Sequence, residues 1–207
     1  MPRAKQRTPE LRDRVLRVAV DMLTRDGVAG FTTRRVAERA ATSTPAVYEL
    51  FGDKAGLVRE VFFEGFRLLR RRFDQLDESG DPVADLLGLV EAIRSFVRAN
   101  PVLADVMFSR PFADFDPGPA EARAGDAVRE FVVGRVRRCV AAGELEGDPT
   151  DIAHVVLALT LGLAGAEGAS RLGRSPASVE RRWALGTRAL LDGLRPPTPS
   201  SGSGTAR

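Results

Sequence analysis

The sequence predicts an all-α protein: a small N-terminal helical domain joined to a larger helical bundle. Three observations carry that expectation. Apolar residues recur at three- and four-residue spacing along most of the chain, and no stretch alternates as a strand would. Prolines stand where helices should open, at Pro45, Pro82, Pro101, Pro149 and Pro176, a position where the missing N–H is no loss. At 207 residues with 43% hydrophobic content, the chain can hold a small domain plus one of about 150 residues with a real core.

The elements follow in order. Leu11, Val15, Val18, Ala19, Met22 and Leu23 form one face of a helix over 10–26, and Gly27 stops it. Thr32 or Thr33 caps a short helix through about Ala40, with Val36, Ala37 and Ala40 inward. Ala41-Thr42-Ser43 is a turn, and a third helix runs from about Thr44 to Phe51-Gly52. Asp53 caps a long helix from Lys54 to about Leu76 that carries Leu57, Val61, Phe62, Phe66, Leu69 and Phe73. Helices are expected next over 82–100 and 101–109, then a loop over 109–120 set by its three prolines. Three more helices complete the chain, over 121–142, 149–172 and 176–194, the last two opened by Asp148-Pro149 and Ser175-Pro176. Residues 196–207 are rich in Pro, Ser and Gly and read as a disordered tail. The expected division is 1–56, 57–195 and the tail.

Composition excludes several classes. One cysteine, Cys139, permits no intrachain disulfide. The basic N-terminus lacks the apolar core of a signal peptide. The longest apolar run, Ile152 to Ala166, contains His154 and is shorter than a membrane span needs. A cytoplasmic protein with no membrane partner is therefore expected. Net charge is +3 and unevenly placed: residues 1–58 hold 11 Lys/Arg against 7 Asp/Glu, and the remainder is close to balance. An excess of cations at one end suits a polyphosphate partner, because each neutralised phosphate releases counterions. His154 and Cys139 are the only residues of their kinds, and nothing in their spacing argues for a nucleophile–base pair. No phosphate-binding glycine loop or metal-ligand cluster is present in the sequence. Neither catalysis nor a cofactor nor a metal is expected.

Residues 31–51 have the layout of a helix-turn-helix, whose second helix would enter a DNA major groove. Thr33-Arg34, Val36-Ala37, Tyr48, Phe51 and Lys54 together, at this spacing, resemble the DNA-binding domain of the TetR family of bacterial transcription regulators over about residues 10–65. Two positions depart from the family pattern: Ala41, where glycine is common, and Leu50, where histidine often stands. Ala41 makes a left-handed turn less comfortable by roughly 1 kcal/mol. Leu50 removes a polar side chain that could touch phosphate.

Position assigns the roles. Thr33 and Arg34 open a helix whose N–H groups favour a phosphate; an ordinary cap for Thr33 and a solvated charge for Arg34 are the plainer readings. Thr44, Pro45 and Ala46 lead the recognition helix, with a hydroxyl for base edges and apolar surface for a thymine methyl, or they simply initiate the helix. Tyr48 either offers its hydroxyl to the DNA backbone, as the motif implies, or is a core aromatic. Lys54 opposes the helix dipole in a first turn, which makes sense if its ammonium faces a phosphate.

The larger body is rich in phenylalanine. Most of these side chains read as bundle core, but Phe66, Phe73, Phe96, Met107, Phe108 and Phe112 could line a cavity for a small apolar effector, with the 109–120 loop at its mouth. Val106-Met107-Phe108-Ser109-Arg110-Pro111 resembles the family subgroup named for a Trp-His-Gly feature, although 157–162 keeps only Gly162. Small residues at Ala158, Gly162, Gly165, Ala166 and Ala169 permit close helix approach, and the resemblance implies a homodimer through 149–194. Trp183 either anchors that interface or packs within the subunit. The expected function is a DNA-binding regulator released from an inverted-repeat operator by a small apolar ligand. The alternative is one with no small-molecule effector, constitutive or controlled by a protein.

Overall fold

The computed structural model describes residues 9–109 and 119–197. Among them are nine helices and no strand. They are α1 (Pro9–Asp26), α2 (Thr33–Arg39), α3 (Thr44–Phe51), α4 (Lys54–Phe73), α5 (Pro82–Ala99), α6 (Pro101–Phe108), α7 (Pro119–Ala141), α8 (Pro149–Gly168) and α9 (Pro176–Gly193). The all-α expectation holds, and most helix ends fall where caps and prolines place them. Asp53, Asp148 and Ser175 each accept a backbone N–H from the first turn of their helix, satisfying a donor the helix leaves open.

Three boundaries differ from expectation. α4 stops at Phe73 rather than Leu76. α8 stops at Gly168 rather than about 172, because Ser170 and Gly173 take left-handed conformations (φ 56° and 96°) that no helix continues through. α7 starts at Pro119, inside the stretch read as loop. The rest of that loop, including Phe112, lies outside the described residues, as does most of the expected tail.

Compact packing follows contact rather than chain order and forms two units. The first comprises residues 1–76 and 91–130. Its core is built from Val15, Ala19, Met22 and Leu23 of α1, Val36 of α2, Val47 of α3, Leu57, Val61, Leu69 and Phe73 of α4, and Leu103 and Val106 of α6, all essentially without solvent contact. Close approach of α4 and α6 is set by Gly65, where a Cβ would run into Met107.

The second unit comprises residues 77–90 and 131–207. Its polar anchor is Asp85, whose buried carboxylate accepts from Arg138 at 2.8 Å, Arg135 at 3.2 Å and the Ser79 hydroxyl at 2.7 Å. The Ser79 hydroxyl and backbone N–H hold that carboxyl below its ordinary range, and Arg138 adds to the effect. Trp183 is buried and donates to Glu167 at 2.7 Å, joining α9 to α8 within the subunit. Of the two roles open to it, core packing is the one the structure shows.

α8 and α9 are both poorly covered, α9 burying Trp183 alone, and α8 is the more apolar of the two. It is 20 residues long and apolar enough, by length and composition, to cross a membrane, although the uninterrupted apolar run inside it is shorter. Only 28% of its most apolar window is buried within the chain. Val155 on α8 and Leu185 on α9 are 50% and 68% exposed.

Candidate functional site

The front of the first unit is organised around α3. An eight-residue helix has little stability of its own, and here both ends are fixed by neighbours. The helix starts at Thr44, as expected, and Ser43 is its cap, the Ser43 hydroxyl accepting from the Ala46 N–H at 3.3 Å. Gly52 ends it with φ 81°, and Gly56 of α4 lies so close that a Cβ there would collide with the Phe51 carbonyl oxygen. Arg12 of α1 lies over the Phe51 ring, 5.4 Å from its centroid, and pairs with Glu60 of α4 at 2.8 Å. One arginine thus touches the end of α3 and the second turn of α4 together. Nothing in the linear pattern singles it out, since its partners lie 39 and 48 positions away.

Held in this way, α3 buries Val47 and Phe51 and turns its other face outward. Pro45 is exposed, Thr44 and Ala46 are half-buried, and Tyr48 is 46% exposed. Of the readings open for Tyr48, core packing is excluded. Thr32, not Thr33, caps α2 by accepting from the Arg35 N–H. Thr33 is the first helical residue and its side chain is buried. Any phosphate contact at Thr33 would therefore run through its backbone N–H, one of those a helix start leaves unpaired. Ala41 does adopt the left-handed conformation expected of it, at φ 51°.

The basic residues of this region divide into two groups. Arg35 and Arg39 both pair with Asp26 at 2.9 Å, and Arg14 donates to the Ala40 carbonyl at 3.0 Å. These tie α2 to α1 and hold the fold. Arg34 instead stands out from the surface, 83% exposed, paired with its i+4 neighbour Glu38 at 2.9 Å; such an exposed pair contributes about 0.3–0.5 kcal/mol and gives way readily to a phosphate. Lys54 is likewise exposed at the start of α4. Arg34, Thr44, Pro45, Ala46, Tyr48 and Lys54 all reach solvent, while Thr33 does not.

The five candidate effector residues among the described residues lie in the same unit but are not equivalent. Phe73 and Phe96 are fully packed, and Met107 sits against Gly65. Phe66 meets Phe62 at 4.8 Å and the half-buried Phe108 at 5.9 Å between ring centroids. Of the five candidates among the described residues, Phe66 lines an open groove of about 370 Å³ between α4 and α7, together with Phe63, Arg67, Arg70, Arg71, Ala127 and Val128. An expectation of purely apolar lining does not include these arginines; their i+4, i+7 and i+8 spacing from Phe63 on one helix face was the available signal.

Comparison with known proteins agrees with this arrangement. Residues 15–61 match the model for bacterial regulatory proteins of the tetR family, and residues 86–190 match the Tetracyclin repressor-like C-terminal domain, a broader description than the Trp-His-Gly subgroup. No curated protein matches the chain. A solved structure of a protein of unknown function from Rhodococcus sp. RHA1 is 26% identical with a TM-score of 0.77, covering 95% of this chain and all of that one. The TetR family transcriptional regulator PfmR from Thermus thermophilus is 22% identical with a TM-score of 0.66, over 90% and 98% of the two chains. AibR, solved in complex with isovaleryl coenzyme A and operator DNA, is 15% identical with a TM-score of 0.64, over 91% and 100%. The last two likenesses are of fold.

Proposed function

Because the chain belongs to the TetR family of bacterial regulatory proteins, we propose that it is a homodimeric repressor that binds an inverted-repeat operator and leaves it when a small effector binds. The observation that carries the reading is the outward face of α3, with Thr44, Pro45, Ala46 and Tyr48 turned to solvent beside the exposed cations Arg34 and Lys54. Residues 1–56 are the DNA reader in this proposal. α3 enters the major groove, Thr44 meets base edges, Pro45 and Ala46 meet thymine methyls, and Tyr48, Arg34, Lys54 and the Thr33 N–H hold phosphates.

The uncovered apolar faces of α8 and α9 supply the second half of the proposal. Val155 and Leu185 are large apolar side chains left in water by the single chain, and a second copy would cover them. A two-fold dimer through residues 149–194 places two recognition helices about one turn of DNA apart and demands a near-palindromic site. The protein then acts in the cytoplasm, without catalysis.

α4 is the proposed transmitter. Its first turns abut α3 directly at Gly56 and are linked to it through Arg12, which pairs with Glu60 and lies over Phe51, and its later turns carry Phe63 and Phe66 at the α4–α7 groove. An effector that binds one setting of α4 better than the other shifts the population and lowers operator affinity by that difference. Selection of sites from random duplex DNA with the purified protein tests the reading. Enrichment of an inverted repeat is expected; enrichment of single half-sites would overturn the dimeric geometry, and no enrichment would overturn DNA reading by α3.

A further inference from the structure

The groove between α4 and α7 is not purely apolar, and its charge points to a ligand class. Phe63, Phe66, Arg67, Arg70 and Arg71 fall at i, i+3, i+4, i+7 and i+8 on α4, so one helix face carries aromatic surface and three guanidiniums side by side. Ala127 and Val128 of α7 form the opposite wall. Phe66 is within 3.7 Å of where a Cβ on Gly125 would stand, so α7 closes on the ring.

The guanidiniums are only partly engaged by carboxylates of their own helix. Glu64 accepts from Arg67 at 2.8 Å and from Arg71 at 3.0 Å, one carboxylate shared by two guanidiniums. Arg70 pairs with Asp74 at 2.9 Å. Among the described residues, Arg67 and Arg71 therefore share a single carboxylate, and the nearby Asp126 is matched by Arg129 on α7. Each guanidinium has five N–H donors, and one shared carboxylate cannot occupy those of both Arg67 and Arg71. All three side chains are between 44% and 58% exposed, so an entering anion is not asked to break a buried pair.

We propose that this groove binds a small monocarboxylate with an apolar body, the carboxylate on Arg67 and Arg71 and the body on Phe63, Phe66 and Val128. The volume of about 370 Å³ lies within the range of small-ligand pockets and at its lower end. The proposal rests on the reading that the body takes an effector, and it replaces a wholly apolar ligand with an anionic amphiphile.

Calorimetry on the full chain with octanoate, decanoate and dodecanoate, each below its micellar concentration, provides the test, with decanol and decylamine as matched controls. Saturable binding of one carboxylate per chain is expected. Decanol should bind at least about tenfold more weakly, since a charge-assisted hydrogen bond is lost, and decylamine more weakly still. R67Q/R71Q should bring decanoate down to the level of decanol, and A127W, a change at an exposed position, should block both by filling the groove. Equal binding of decanol and decanoate, binding unaffected by R67Q/R71Q or by A127W, or no saturable binding by any of the three acids would each overturn the proposal. Operator affinity is measured separately. Decanoate that binds as described but leaves operator affinity unchanged would sink the release mechanism and leave this site standing.

Discussion

α3 and α8 are both incompletely covered by their own chain, yet they leave opposite chemistry uncovered. α3 is eight residues long, buries Val47 and Phe51, and presents hydroxyls, a proline and a tyrosine tip. α8 is 20 residues long, buries Ile152, Ala153, Val156, Thr160 and Ala164, and leaves apolar surface such as Val155 in water. Polar and aromatic groups on a short, firmly held helix cost little in solvent and suit a wet, charged groove. Apolar surface on a long helix loses about 25 cal/mol for each Å² left uncovered, so it awaits an apolar partner. The chemistry of what is left open thus separates the two proposed partners, nucleic acid for α3 and a second copy for α8.

The largest expected effect comes from spoiling the α8–α9 face. V155E/L185E should convert a dimer to a monomer in sedimentation, because each charge would be buried unpaired in the interface. Operator affinity should fall by about a hundredfold or more, the loss expected when two linked binding events become one. A double variant that stays dimeric would place the interface elsewhere and leave the α8 surface needing another occupant.

Next is the joint that holds α3. G56A forces a Cβ onto the Phe51 carbonyl, a backbone atom that cannot rotate away, and should destabilise the protein by about 3 kcal/mol. Gly88 of α5 has open space where its Cβ would be, so G88A should instead stabilise by about 0.5–1 kcal/mol. Urea unfolding of the pair reads both. Similar midpoints for the two variants would mean that α3 is not clamped where the structure places the clamp.

Much of this was legible in the sequence, and the reasons are physical. Helix periodicity and caps are local signals, so Asp53, Asp148 and Ser175 mark true helix starts. So is the turn strain, and Ala41 adopts the left-handed state anticipated for it. What escaped depends on distance along the chain. The Arg12 contacts with Phe51 and Glu60 and the burial of Thr33 require knowing which helices meet. The effector region escaped for another reason. Aromatic content alone does not separate a packed Phe73 from a groove-lining Phe66, since both sit on the inward stripe of α4 and only the placement of α7 distinguishes them.

On the nucleic-acid side, K54A should weaken binding to every duplex by a similar factor, about five- to tenfold at moderate salt, and reduce the salt slope by about one. T44A should act differently, changing preference at one operator position by about 1–3 kcal/mol with the slope unchanged. Filter binding across a salt series on operator and scrambled duplexes compares them. If K54A altered preference between the two duplexes, Lys54 would read sequence rather than charge.

The smallest effect tests the turn before α3. Ala41 is exposed, so its side chain contributes little packing, and its left-handed backbone costs about 1–2 kcal/mol relative to a relaxed residue. Glycine removes that cost but gives the unfolded chain more freedom, returning about 0.4–1 kcal/mol. The balance for A41G is a stabilisation of about 0.5 kcal/mol, read as a higher urea midpoint with an unchanged slope. Operator affinity should stay the same, because the cap of α3 is Ser43 and its contact with the Ala46 N–H does not involve residue 41. Weaker operator binding with improved stability would show that the strained turn helps to aim α3, and that the glycine common at this position in the family is not equivalent here.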